Sequence, residues 1–426
     1  MKILIVNYTD GGGGGAIAPL RLYEALRAKG VLCDFGVIEK KSENENIFCI
    51  KRKYSFLKKI IHKLYHYFAR FLFKISGTEN GILHSLNLYS LADIDFINKS
   101  DYDIVHLHWI GANTLSIKDI AKINKPLCWT MHDSWAVCGA EHHPNTSYND
   151  TRYIEGYTKK NRAKGENGFD LCRWIFNKKK KYFRFSTQFI GPSLWETEVC
   201  KNSYLFKHLP TSSVTHIPNI IDTNCFKSLD KNTVRNIFEI NTDKKVLMFS
   251  TPYFSSKKTD MKGTSLLLQV LEHFFKNADT SEFVLLMTGN INADIKKFLP
   301  QVQTIFTGFI QNPRLMNLCY NVTDVLLFPS RIENLPYGLL EPQSIGIPCV
   351  AFDTGGNSDI VVHKQTGYLA PCFDTKDFAN GINYCFENKT ILGKNAISHI
   401  KENFDSNMVV EKHIELYKKI LNEKRK

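Results

Sequence analysis

Short, uninterrupted apolar runs recur along the chain, each followed by a stretch with helical spacing. The first is Ile3-Leu4-Ile5-Val6; it is broken by Asp10 and the glycines 11 to 15, after which Ala18, Leu22 and Leu26 keep helical register until Gly30. Ile104 to Leu107, Pro126 to Thr130 and Gln188 to Ile190 continue the series. A second series follows in the same style, with Val246 to Phe249, Phe283 to Met287, Val325 to Phe328 and Pro348 to Phe352. Continuous apolar runs separated by helices are the pattern of parallel sheets covered on both faces. The pattern predicts two doubly wound α/β domains, 1–218 and 219–404. The seam falls near Ile217-Pro218-Asn219 and is followed by the polar stretch Asp222 to Lys245. Residues 405–426 carry a last helix, around Met408 to Leu421, expected to cross back to the first domain.

A length of 426 residues supports this division, because a single core stops growing at roughly 250–300 residues. With 43% hydrophobic and 23% charged residues the composition is globular. No run reaches the roughly 18 apolar residues needed to cross a bilayer, and the stretch Ile3 to Val6 is too short for a secretory signal. Eleven cysteines without a Cys-x-x-Cys pair predict reduced thiols and a cytoplasmic location. The net charge of +13 favours an acidic partner: nucleic acid, anionic lipid or a phosphorylated metabolite. Its distribution separates these. Residues 51–76 hold eight Lys/Arg and no acid. On a helix, Leu57, Ile60, Ile61, Leu64, Phe68, Phe71, Leu72 and Ile75 form one stripe, and Lys59, Lys63, His66, Arg70 and Lys74 the opposite face. That is the pattern of an interfacial helix at the inner face of a membrane, or of an amphipathic helix docked on its own domain. No nucleic-acid reading motif accompanies the charge.

Several motifs carry candidate chemistry. Glycines 11 to 15, between a strand and a helix, allow backbone N–H groups to approach a phosphate or sugar, with Gly14 and Gly15 nearest the helix. His132-Asp133 follows the strand ending at Thr130, where a parallel sheet opens to its ligand. Asp93/Asp95 and Asp101/Asp103 match Asp-x-Asp but read as solvated residues at strand starts. His106, His108, His142, His143 and Cys138 fit no standard zinc spacing, so no metal is expected. The most specific stretch runs from Glu333 through Gly338, Leu339 and Glu341 to the turn Gly355-Gly356. If a helix starts at Pro336, Glu333 lies in the preceding loop and Glu341 within the helix, so both can reach one ligand.

These motifs, with His106-Leu107-His108-Trp109, Gly191-Pro192-Ser193, Ile217-Pro218-Asn219 and Lys262-Gly263, make the chain similar over nearly its whole length to the retaining glycosyltransferase family 4. The resemblance implies a GT-B fold, two Rossmann-like domains facing across a cleft, with donor on the second and acceptor on the first. It implies transfer of a sugar from a nucleoside-diphosphate donor to a glycan or lipid-linked acceptor in cell-surface polysaccharide assembly, without metal or other cofactor. Glu333 is implied to contact the donor sugar, Glu341 the ribose and His132 the reacting sugar, while Lys262 and a basic partner neutralise the diphosphate. Lys257 stands where the family has arginine, Pro336 where many members have glycine, and Pro342 follows Glu341. A dinucleotide-dependent oxidoreductase or a GT-B sugar-nucleotide epimerase is the alternative; the oxidoreductase leaves the Glu333/Glu341 pair unused.

Overall fold

The computed structural model describes residues 1–78, 81–144, 150–163, 166–183, 187–207, 214–254, 260–290 and 301–424. Two compact units form, Met1–Ile220 together with Asn407–Lys426, and Ile221–Ser406.

The first unit is built on seven strands: β1 Lys2–Thr9, β2 Leu32–Glu39, β3 Ile47–Cys49, β4 Ile104–Leu107, β5 Leu127–Thr130, β6 Gln188–Gly191 and β7 Val214–His216. All pair in parallel, in the order β3-β2-β1-β4-β5-β6-β7. Successive side chains of a strand point to opposite faces, and the cores follow that rule. Ile3 and Ile5 enter one apolar cluster, Leu4 and Val6 the other. The last helix, Ser406–Lys424, covers the Ile3/Ile5 face with Val409, Val410, Tyr417 and Ile420.

The second unit repeats the topology with β8 Lys245–Tyr253, β9 Phe283–Asn290, β10 Gln303–Gly308, β11 Val325–Phe328, β12 Cys349–Phe352 and β13 Gly367–Ala370. Its order, β10-β9-β8-β11-β12-β13, is again entirely parallel. In each sheet the strand order reverses at one place, between β1 and β4 and between β8 and β11. Connections leaving the two central strands then diverge to opposite faces and leave a crevice at their carboxyl ends, where ligands of such sheets bind.

One detail differs from the sequence reading. Asp93 is not at a strand start; it caps the helix Ile94–Lys99, accepting from the amides of Asp95 and Phe96, while Asp95 pairs with Arg52. Asp101 and Asp103 flank the start of β4 and bind Lys2, by its ammonium and its amide respectively.

The helix Phe56–Ser76 turns its apolar stripe outward. Leu57 is 72% exposed, Leu64 61% and Phe71 56%. It is held instead through Leu72, Ala69 and Phe73, and His62 stacks on Tyr89 with ring centroids 4.2 Å apart. Lys63, Arg70 and Lys74 are exposed. The side chain of Lys59 lies outside the described residues.

Candidate active site

In the first unit the site residues hang from β1, β4 and β5. Asn7, a polar residue near the end of β1, organises them: its amide donates to the carbonyls of Thr9 and Gly15, and its oxygen accepts from the amide of Trp109. The glycine loop is thereby tied to the end of β4. Asp10 is buried and binds the amides of Lys41 and Ser42 and the Ser42 hydroxyl. Burial opposes its charge, but these bonds outweigh it and lower the carboxyl pKa. Gly14 and Gly15 open the helix Gly14–Ala28, with Gly13 at its cap, and glycines 12 to 14 are exposed.

Past β5, His132 is partly exposed in a small recess lined also by His108, Trp109, Asp133 and His142. His132 Nε2 lies 2.8 Å from His108 Nδ1. Among the described residues the far nitrogen of His108 is buried without a partner. An unpaired buried N–H is costlier than an unpaired lone pair, so His108 carries its proton on Nδ1 and donates it to His132. His132 then keeps its own proton on Nδ1. Burial lowers the His132 pKa to about 4, leaving the ring neutral near pH 7. Asp133 faces away from this exchange. It accepts from the Trp109 indole at 2.9 Å and the Trp135 amide, and pairs with His142 at 2.6 Å. Burial works against its charge, but the pairing with His142 prevails and lowers its pKa to about 2.

In the second unit Asp260 follows β8 and accepts from the Lys262 amide and from Thr264, setting the start of the helix Thr264–Phe275. Gly263 caps that helix in the left-handed region. Lys262 is thus aimed at Glu333, in the loop after β11, with Nζ to Oε1 at 2.6 Å. Burial disfavours the ammonium, yet the Glu333 carboxylate prevails and raises the lysine pKa. Glu341 lies in the helix Tyr337–Ser344, which begins directly after Pro336 and carries Pro342 in its body. It is 7% exposed and accepts from the Tyr320 hydroxyl at 3.1 Å.

The turn after β12 holds Glu333 by its backbone. Gly356 N–H donates to the Glu333 carbonyl at 2.9 Å, and a Cβ on Gly355 would lie 2.0 Å from the same oxygen. The Gly356 amide is therefore committed to placing Glu333. Gly338 is partly exposed in the first turn of its helix, whereas Leu339 is fully buried and its amide bonds the Pro336 carbonyl. Lys257 lies outside the described residues. Asn7, Asp260 and Tyr320 were not singled out by the sequence reading, and His108 was weighed only as a metal ligand and as part of the His106-Leu107-His108-Trp109 motif. Asn7 had a signal, a lone amide closing the apolar run Ile3 to Val6; Tyr320 had none, because its pairing with Glu341 spans 21 positions.

Residues 230–403 match the family model described as glycosyl transferases group 1, a stretch lying wholly within the second unit. A Bacillus anthracis N-acetyl-alpha-D-glucosaminyl L-malate synthase is 22% identical over 221 residues, 50% of this chain and 55% of the relative. An Escherichia coli UDP-Gal:alpha-D-GlcNAc-diphosphoundecaprenol alpha-1,3-galactosyltransferase is 32% identical over 97 residues, 22% of this chain and 25% of the relative. The chain thus spans about half the length of the first relative and a quarter of the second. Among solved structures, Anabaena HepE in complex with UDP and glucose superposes with a TM-score of 0.64 at 14% identity, covering 98% of this chain and 100% of that one. Sucrose-phosphate synthase from Thermosynechococcus elongatus gives 0.64 at 15% identity, covering 99% and 100%. The fold is GT-B, with two Rossmann-like α/β domains.

Proposed function

We propose that this chain is a metal-independent, retaining glycosyltransferase that moves a hexosyl unit from a nucleoside-diphosphate sugar to a glycan or lipid-linked acceptor in cell-surface polysaccharide assembly. The observation that carries the reading is the Lys262–Glu333 pair, at 2.6 Å, with Glu341 one helix further on. These residues hang from the two strands that flank the order reversal of the second sheet, inside the stretch matched by the group 1 model.

The chemistry follows from the charges. Departure of a nucleoside diphosphate concentrates negative charge on its phosphate oxygens, and a preorganised cation in a partly desolvated site stabilises that charge more than water does. Lys262 supplies it, with Lys257 as second cation. Glu333, fixed by the Gly355-Gly356 turn and paired with Lys262, binds the donor sugar. Glu341, oriented by Tyr320, binds the ribose. Gly338 at the start of its helix faces the donor. In the first unit, neutral His132 donates from Nδ1 to a hydroxyl of the reacting sugar, and the loop at Gly14-Gly15 approaches donor sugar or phosphate. The leaving oxygen takes the acceptor's proton on the same face, so the configuration is retained without a protein nucleophile.

The outward stripe of the helix Phe56–Ser76, flanked by basic residues, supports peripheral docking on an anionic membrane surface, where a lipid-linked acceptor resides. No described helix is long and apolar enough to cross a membrane.

The test is a panel of nucleotide sugars incubated with undecaprenyl-diphosphate glycans, reading acceptor-dependent release of nucleoside diphosphate. One donor is expected to support release, and Glu333→Ala to lower it at least about 100-fold, the size of loss seen when a transition-state contact is removed. Release unaffected by Glu333→Ala would contradict the assignment, and reduction of a bound dinucleotide would favour the oxidoreductase.

A further inference from the structure

A second cluster of chemistry-bearing side chains lies in the first unit, away from the His132 recess. His84 and Glu141 are paired across an antiparallel bridge, and Cys172 is the second residue of the helix Leu171–Tyr182. His84 Nε2 or Nδ1, a Glu141 carboxylate oxygen and Cys172 Sγ all fall within 4.8 Å of one another. Which atoms are available follows from their bonds. His84 Nδ1 lies 2.7 Å from the Ile82 carbonyl, which only an N–H can satisfy, so the proton is on Nδ1 and Nε2 is a bare lone pair. Among the described residues that buried Nε2 has no hydrogen-bond partner, and neither does Glu141 Oε2, on a residue 1% exposed.

The other oxygen of Glu141 is held by the Tyr157 hydroxyl and by Arg152 at 3.4 Å. The carboxylate is thereby turned with Oε2 toward His84 and Cys172. A ligating imidazole donating its second N–H to a carbonyl, and a ligating carboxylate anchored by its second oxygen, are the outer contacts that orient metal ligands. Close packing reinforces the arrangement: a Cβ on Gly139 would stand 2.7 Å from Glu141 Oε2 and 2.6 Å from the Cys172 carbonyl. Leaving a carboxylate oxygen and an imidazole nitrogen buried and unpaired is costly, and one cation satisfies both.

We propose that His84, Glu141 and Cys172 bind a zinc ion that staples the 82–86 segment to the helix Leu171–Tyr182. One nitrogen, one oxygen and one sulfur suit zinc, which accepts all three, rather than magnesium or calcium. Bound at about 2.0–2.3 Å, tetrahedral ligands stand about 3.5 Å apart, so the three atoms need to close by no more than about 1.3 Å. Water takes the fourth position. Binding releases the Cys172 proton, and Glu141 with the thiolate then balances the two charges of the ion. Arg152 does not upset that balance, because Asp150 at 2.7 Å and Glu166 at 3.9 Å pair with it. The ion is structural and takes no part in the transfer proposed above, whose metal independence concerns the donor site.

The full chain, incubated with zinc chloride and desalted, is measured for metal by mass spectrometry. About one zinc per chain is expected, falling at least tenfold in Cys172→Ser and in His84→Ala. Cobalt chloride added to the wild-type chain should give a thiolate-to-cobalt charge-transfer band, a measurement that needs no variant to fold. Wild-type protein that retains no zinc and gives no such band overturns the proposal, as does zinc retention unchanged by Cys172→Ser. Neither outcome bears on nucleotide-sugar binding.

Discussion

At Gly263 the backbone takes φ of 70°, and a Cβ would come within 1.8 Å of the Pro329 carbonyl oxygen. Neither a left-handed conformation nor a backbone clash can be relieved by a rotamer change. Gly263→Ala is therefore expected to destabilise the chain by roughly 3 kcal/mol or more and to displace Lys262 from Glu333, seen as a lower urea midpoint together with weaker nucleotide binding. Unchanged midpoint and affinity would mean the loop tolerates a side chain. The buried histidines make a separate prediction. His413 has its pKa lowered by burial to about 4, against an ordinary 6.5. Between these values the unfolded chain binds a proton that the native chain does not, so stability rises with pH across this window and is lost as pH falls through it. The full window is worth about 3 kcal/mol for this group. Urea unfolding at pH 7 and pH 5 should show lower stability at pH 5, and His413→Gln should flatten that dependence. An unaltered slope would show that His413 is not held neutral. The sequence paired Glu333 with Glu341, and the family resemblance added Lys262. It could not show that Gly356 serves Glu333 rather than a phosphate, because that depends on which way one amide points.

Among the elements, most strands buried on both faces were readable, but β2 and β13 were not. Ile104–Leu107 and Val325–Phe328 are unbroken apolar runs and form β4 and β11. β2 escaped notice because Asp34 and Gly36 interrupt it; Asp34 is accommodated by the Tyr102 hydroxyl at 2.8 Å. β10 is a half-exposed edge strand, and β3 and β7 span three residues each, too short for any periodicity. The helix Phe56–Ser76 was readable as amphipathic, but its direction was not: the sequence placed Leu72 in the apolar stripe with Leu57, Leu64 and Phe71, and the structure exposes those three while Leu72 packs with Phe73 against the domain. The outward stripe leads to the third prediction. Sedimentation with vesicles containing anionic lipid should capture the wild-type chain, and replacing Lys63, Arg70 and Lys74 together with Gln should weaken capture. Each basic residue contributes at most about 1 kcal/mol near the surface. If the stripe inserts, part of the binding should persist in 1 M salt, where the Debye length is about 3 Å. Equal capture of variant and wild type would remove this face as the dock, and binding lost entirely in salt would mean the stripe does not insert.

For the molecule as a whole, the charge of +13 is concentrated rather than spread: residues 51–76 carry eight of the positive charges, leaving +5 for the rest of the chain. That distribution favours one anionic surface plus one small anionic ligand over a long polyanion such as nucleic acid. The two sheets repeat one strand order, and the acidic and basic residues converge where the second sheet's order reverses. The fold alone does not specify a reaction; the reaction proposed here rests on the Lys262–Glu333–Glu341 constellation, and its first requirement is a nucleoside diphosphate. The most direct measurement is calorimetric titration of the chain with UDP, GDP and ADP. The account predicts saturable binding of one of them, weakened at least about tenfold by Lys262→Ala and by Glu341→Ala, since each removes a contact made in the ground state. Absence of binding to all three, or equal affinity in both variants, would contradict it.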